Sequence, residues 1–128
     1  MLSSSNSPQG ASETRILLVD DNVDALEVMA TLLRMYDHEV ATATTPRAAL
    51  DMVKDFRPSL AILDIGLPGM DGYQLAAELR RTLGEEVPLR LIALTGYARD
   101  VDAERSANAG FERHLVKPLD FDELLRLI

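Results

Sequence analysis

The residues able to do chemistry gather just behind short apolar runs. Asp20 and Asp21 follow Ile16-Leu17-Leu18-Val19, and Asp64 follows Leu60-Ala61-Ile62-Leu63. Thr95 follows Leu91-Ile92-Ala93-Leu94, and Lys117-Pro118 follows Leu115-Val116. If these runs are strands of one open parallel sheet, three carboxylates, a hydroxyl and an ammonium share its carboxyl edge, where such sheets bind ligands. Taken singly, each has an ordinary explanation. Asp20, Asp21 or Asn22 can cap a helix, Asp64 can start a turn before Gly66, Thr95 suits a strand, and Lys117 suits a solvated loop. Delivery by four separate strands to one place is what carries the argument. Crowded carboxylates raise one another's pKa, and a cation relieves them. Hard oxygen donors with no thiolate and no adjacent histidine select Mg2+, or Mn2+ in its place, over zinc and copper. A cation beside a carboxylate, a lysine and a hydroxyl is an arrangement for a phosphoryl group, whose transfer needs mainly positioning and charge neutralisation. One carboxylate can itself be the nucleophile, giving an aspartyl phosphate.

The elements that must hold these groups alternate along the chain. Four-residue apolar runs at 16–19, 60–63 and 91–94 read as strands buried on both faces. Glu39 to Ala43 reads as an edge strand, and Leu115-Val116 as part of a short last one. Between them, Ala25, Met29, Leu32, Leu33 and Tyr36 fall at helical spacing. Pro46 suits the first turn of a helix running to about Lys54. Gly72 to Leu83 is helical and Gly84 ends it. Arg99 to Ala109 is helical up to Gly110, and Phe121 to Ile128 begins a last helix. Five strands alternating with five helices predict an α/β fold, a doubly wound five-stranded parallel sheet of order 2-1-3-4-5 with helices on both faces.

The remaining signals bound the function. The chain has 128 residues, enough for one domain with a core of its own. Thirteen basic against 21 acidic residues give a net charge of −8, which argues against a nucleic-acid surface and against anionic membrane. Cysteine is absent, excluding disulfides, thiolate metal sites and cysteine nucleophiles. No apolar run approaches a membrane span and no secretory signal opens the chain, so a cytoplasmic domain is the expectation. Residues 1–14 are rich in Ser, Pro, Gly and Asn and read as a flexible tail or linker, with the domain over 15–128. The chain stops at Ile128 inside a short helix on an apolar residue, which predicts excision from a longer protein. Gly66, Gly69 and Gly72 lack the lysine and hydroxyl of a phosphate-binding loop and read as turn residues. His38 lacks metal-ligand spacing, Met29 and Met52 read as core, and Glu85-Glu86 as a solvated loop.

With these residues in view, the chain resembles the response-regulator receiver domain of two-component signalling, a CheY-like, flavodoxin-like fold. The likeness covers residues 14–128 and rests on ILLVDDN, LAILDIGLPGMDGYQLAAELR, LIALTGY and HLVKPLD, in that order. The wording of the third-strand motif with HLVKP most resembles receivers attached to hybrid sensor histidine kinases. The resemblance implies Asp64 as phosphoacceptor. It implies Mg2+ held by Asp21 directly, by Asp20 through water, by Asp64, and by the backbone carbonyl of Gly66. Thr95 would bind the phosphoryl group and carry the switch, Lys117 would pair with a phosphoryl oxygen, and the Lys117–Pro118 bond would be cis. His114 stands where the switch residue is usually Tyr or Phe; it reads either as a partly exposed histidine on an edge strand or as a switch that moves inward as Thr95 is drawn to the phosphoryl group, in which case the imidazole would make it pH-sensitive. Gly66 and Tyr97 would flank the path of the attacking water, with Tyr97 shielding the acyl phosphate. The implied partner is a histidine kinase or phosphotransfer domain, and the domain would catalyse only its own phosphorylation and dephosphorylation. The output face is expected on the fourth helix, last strand and last helix, with Arg99, Glu104, Arg105 and His114 exposed. Two other readings compete: a receiver-like interaction module that takes no phosphate, and a haloacid-dehalogenase-like phosphatase. The latter wants a DxD motif at the first strand, where this chain has adjacent aspartates.

Overall fold

The computed structural model describes residues 14–67, 69–97 and 101–128. The expected tail over 1–14 therefore lies outside the described residues except for Thr14, as do Pro68 and Arg99. Strands β1 (Arg15–Val19), β2 (Glu39–Ala43), β3 (Leu60–Asp64), β4 (Arg90–Thr95) and β5 (Phe111–Val116) alternate with helices. The helices are α1 (Val23–Met35), α2 (Pro46–Phe56), α3 (Gly72–Leu83), α4 (Ala103–Ala109) and α5 (Phe121–Leu127). All pairings are parallel and the order is β2-β1-β3-β4-β5, the expected 2-1-3-4-5 sheet.

Strand alternation splits the central strands between two cores. Leu17, Val19, Ala61, Leu63 and Leu91 pack on α2 and α3 through Ala49, Val53, Leu75, Ala76 and Leu79. Ile16, Leu18, Leu60, Ile62, Ile92 and Leu94 pack on α1 and α5 through Leu26, Met29, Ala30, Leu33 and Leu124. Both faces being covered explains why the runs are apolar throughout rather than alternating. A smaller cluster of Ile65, Tyr73 and Ala93, with Val101, Ala109 and Phe111 against it, seats α4.

Some boundaries and one helix face differ from expectation. In α1 the buried stripe is Leu26, Met29, Ala30 and Leu33, while Ala25 and Tyr36 are exposed. Apolar residues cover more than half of this helix, so spacing alone did not choose its inner face. The outward ones line a groove with Leu119 and Phe121. Helix α2 runs two residues past Lys54, to Phe56. The last strand is six residues long, its first part too polar to stand out because its side chains are largely exposed. Helix α4 begins at Ala103, where Asp102 accepts the Arg105 N–H as N-cap.

Gly72 fixes where α3 meets the third strand. A Cβ on it would lie 2.6 Å from Ile65 Cα and 3.0 Å from the Asp64 carbonyl oxygen. Its N–H donates to Ile65 O at 3.2 Å. The glycine is required by close backbone approach, not by a turn. We expect Gly72→Ala to destabilise the domain by about 1–3 kcal/mol, the usual cost of overpacking, read as a lower urea midpoint.

Both histidines are partly buried. Desolvation lowers the pKa of His38, although Asp37 opposes it, and desolvation alone lowers that of His114. His38 Nδ1 is buried without a hydrogen-bond partner. In the unfolded chain both titrate near about 6.5. The unfolded state therefore binds more protons as pH falls through that value, so stability is full above it and declines below. The urea midpoint should drop between pH 7.5 and 5.5, and His38→Gln with His114→Phe should flatten that slope. An unchanged slope in the double variant would assign it to other groups.

Candidate functional site

Backbone hydrogen bonds carry the ladder one residue past the strand ends and seat the polar groups. Asp20 N donates to Ala43 O at 3.2 Å, Ile65 N to Leu94 O at 3.0 Å, and Lys117 N to Thr95 O at 2.8 Å. Asp64 ends β3 opposite Leu94, and Thr95 ends β4 opposite Val116. The structure thus brings Asp20, Asp21, Asp64, Thr95 and Lys117 to one edge.

Asp20 and Asp64 are 3% and 8% exposed, yet both are acidic. Lys117 compensates them: its Nζ lies 2.9 Å from Asp20 Oδ2 and 3.0 Å from Asp64 Oδ2. The other oxygens accept backbone donors, Asp20 Oδ1 from Asn22 N at 3.0 Å and Asp64 Oδ1 from Gly66 N at 2.8 Å. Partial burial pushes the Lys117 ammonium down, but its hydrogen bonds and charge pairing with both aspartates outweigh this and hold its pKa above the ordinary value. The Lys117–Pro118 peptide is cis. Asp21 is exposed at the rim. One carboxylate oxygen from each of Asp20, Asp21 and Asp64 lies within 4.8 Å of the others. Three carboxylates against one ammonium leave an excess of negative charge, and the all-oxygen donor set fits a hard divalent cation.

Beside Asp64 opens a cavity of about 350 Å³, lined among others by Gly66, Thr95, Gly96, Asp71, Tyr73, Asp102 and Arg105. Thr95 is buried and its hydroxyl is folded back on its own loop, donating to Tyr97 O at 2.8 Å and accepting Tyr97 N at 3.3 Å. Gly66 is exposed, and a Cβ there would meet Asp64 Oδ1 at 3.5 Å, an ordinary contact. The Tyr97 residue is 62% exposed.

His114 is not brought to the carboxylates. It faces α4, where its Nε2 shares a hydrogen bond with the buried Ser106 Oγ, and its ring lies 6.1 Å from that of Phe111. Of the residues expected exposed on the output face, Glu104 is exposed and His114 is half-buried. Arg105 has a role that sequence spacing missed. Its guanidinium pairs with Asp71 Oδ2 at 2.9 Å and lies 4.7 Å from the Tyr73 ring centroid. Asp71 in turn caps α3 through a reciprocal pair with Gln74. Arg105 and Asp71 are 34 residues apart, so no local signal joins them.

Comparison with known proteins agrees with this geometry. Residues 16–128 match the family model described as response regulator receiver domain. An uncharacterized 14.6 kDa protein of Leptolyngbya boryana is 35% identical over 94% of this chain and 91% of its own length. Response regulator MprA of Mycolicibacterium vanbaalenii is 35% identical over 87% of this chain, which spans 47% of that protein. A CheY-like receiver domain protein from Methanospirillum hungatei superposes with a TM-score of 0.80 at 31% identity, covering 90% of each chain. Response regulator TrrA of Thermotoga maritima, solved in complex with Mg(2+)-BeF, gives a TM-score of 0.76 at 31% identity, covering 89% of this chain and 95% of that one. A receiver-like sheet built on three strand-end aspartates and a strand-end lysine is thus joined to sequence matches over nearly all of the described residues. The chain belongs to the response-regulator receiver family and is a receiver domain of two-component signalling.

Proposed function

We propose that Asp64 is the phosphoacceptor. The observation that carries this is its setting: a nearly buried carboxylate, held by the Lys117 ammonium and the Gly66 N–H, that opens on a cavity with room for a phosphoryl group. A carboxylate oxygen of Asp64 attacks the phosphorus of the donor. The new O–P bond forms as the bond from phosphorus to the donor's leaving atom breaks with its electron pair. A phosphohistidine donor of a histidine kinase or phosphotransfer domain releases imidazole; an acyl phosphate releases a carboxylate. Asp20, Asp21, Asp64 and the Gly66 carbonyl would hold Mg2+, with Mn2+ able to replace it. Bound there, the ion neutralises charge on the carboxylates and the phosphoryl oxygens. Lys117 follows one phosphoryl oxygen, keeping its own positive charge beside Asp64.

Thr95 supplies the switch in this reading. Its hydroxyl leaves the Tyr97 carbonyl and donates to the phosphoryl group. His114 follows, exchanging its bond with Ser106 for the space Thr95 gives up. The face of α4, β5 and α5 is then altered for a partner, with Glu104 exposed on it. The acidic net charge supports a role without nucleic-acid contact by this domain, and a cytoplasmic signalling role is the one we favour for a receiver of this family; among the described residues no helix is long and apolar enough to cross a membrane. A hybrid histidine kinase is the parent we favour, on the wording of the third- and fifth-strand motifs.

Incubation with acetyl phosphate and Mg2+ should add one phosphoryl group by intact mass, and Asp64→Asn should add none. Persistence of the gain in Asp64→Asn would move the acceptor elsewhere. Mg2+ at about 100 times its Kd should stabilise the fold by about 2.7 kcal/mol through mass action, and Asp21→Asn should remove most of that thermal shift. Tyr97→Ala should shorten the phosphoryl lifetime several-fold in a decay measured after donor removal.

A further inference from the structure

Arg105 lines the same cavity as Asp64, and the roles proposed above leave it unused. Among the described residues lining that cavity it is the one cation, against the carboxylates of Asp64, Asp71 and Asp102. Its guanidinium is fixed at present by Asp71, at 2.9 Å to Oδ2 and 3.2 Å to Oδ1, and by the Tyr73 ring. Two features make that arrangement exchangeable. The Arg105 side chain is 46% exposed and that of Asp71 32% exposed, and ion pairs so wetted hold their partners weakly. Asp71 also keeps its capping bond from Gln74 N at 2.9 Å whether or not the arginine is present, so release of Arg105 leaves α3 capped. Helix α4 stays anchored as well, through the Asp102 N–H donated to Tyr73 Oη at 2.9 Å.

A phosphoryl group entering this cavity brings about two negative charges and several acceptor oxygens. The planar guanidinium binds such a group in fork geometry more readily than it binds a solvated carboxylate. Lys117 already holds Asp64 from the sheet side. Arg105 is the group able to meet the phosphoryl oxygens from the helix side.

We propose that Arg105 is a second phosphoryl-binding residue, which Asp71 holds in reserve and which moves from Asp71 to the phosphoryl group presented at Asp64. Asp71 then acts as a competitor anion, setting how readily the clamp is surrendered. This rests on the reading of Asp64 as acceptor, and it adds a named residue pair that governs the site's affinity for phosphoryl groups.

The test compares the parent chain with Arg105→Gln, Asp71→Asn and the double variant, because a clamp and a strut predict different signs. Asn keeps the N-cap of α3. Beryllofluoride with Mg2+ serves as phosphoryl mimic, titrated by the NMR shifts of the Gly66 and Thr95 amides. The initial rate of phosphorylation by acetyl phosphate is followed in parallel by intact mass. Arg105→Gln should raise the half-saturating beryllofluoride concentration and slow phosphorylation by about tenfold, the scale of one charge-assisted hydrogen bond. Asp71→Asn should shift both in the opposite direction, and the double variant should behave as Arg105→Gln. If Arg105 is only a strut between α3 and α4, both single variants break the same bridge and move both readouts the same way, which overturns the proposal. Unchanged values in Arg105→Gln overturn it too, while leaving Asp64 as acceptor intact. A parent chain that takes neither beryllofluoride nor phosphoryl removes the acceptor reading itself, and this inference with it.

Discussion

Burying Asp20 beside Asp64 is tolerable only because Lys117 pairs with one oxygen of each. A buried unpaired carboxylate is strongly disfavoured, and two in one place more so. The three groups come from β1, β3 and the end of β5, so the lysine must reach past β4 to meet its partners. That reach sets a geometric condition on the whole sheet. All four strands must run in the same direction and end at the same level, or the ammonium misses one carboxylate. The two cores exist to keep those strand ends level, with α1 and α5 on one face and α2 and α3 on the other.

The same edge shows how charge and packing divide the work. Oxygens that face inward are met by fixed donors, the Asn22 and Gly66 N–H groups and Lys117. Asp21 faces outward and is left to solvent or a cation. The resulting surplus of negative charge is what makes the site receptive to a cation. In the same cavity a second, looser set of charges, Asp71 with Arg105, repeats the pairing at the surface where it is easily exchanged.

Much of this was legible in the chain. The central strands were plain because a strand covered on both faces must be apolar at every position, and the groups just behind them gave the site. What escaped was of two kinds. The inner face of α1 is not set by spacing, since apolar residues also lie on its outer side and only packing against Ile16, Leu18 and α5 selects between them. The first half of β5 was missed because its exposed Glu112 and Arg113 carry no apolar pattern; its pairing with β4 forms it instead, helped by Arg90 donating to Glu112 at 2.8 and 3.0 Å. His114 and Arg105 were noticed as residues, but their partners Ser106 and Asp71 became visible only in three dimensions.

The main-chain bonds that seat Asp20, Ile65 and Lys117 belong to atoms that every residue type but proline possesses. Position along the edge is therefore inherited from the backbone, and chemistry is added to it by side chain. Such an address survives exchange of its occupant. A lineage can retune the group at 95 by itself, and those at 20, 64 and 117 together so that no buried carboxylate loses its ammonium, while keeping a recognisable scaffold. The fold is in this sense more durable than the reaction it hosts, and drift at this edge changes what the molecule answers to before it changes what the molecule is.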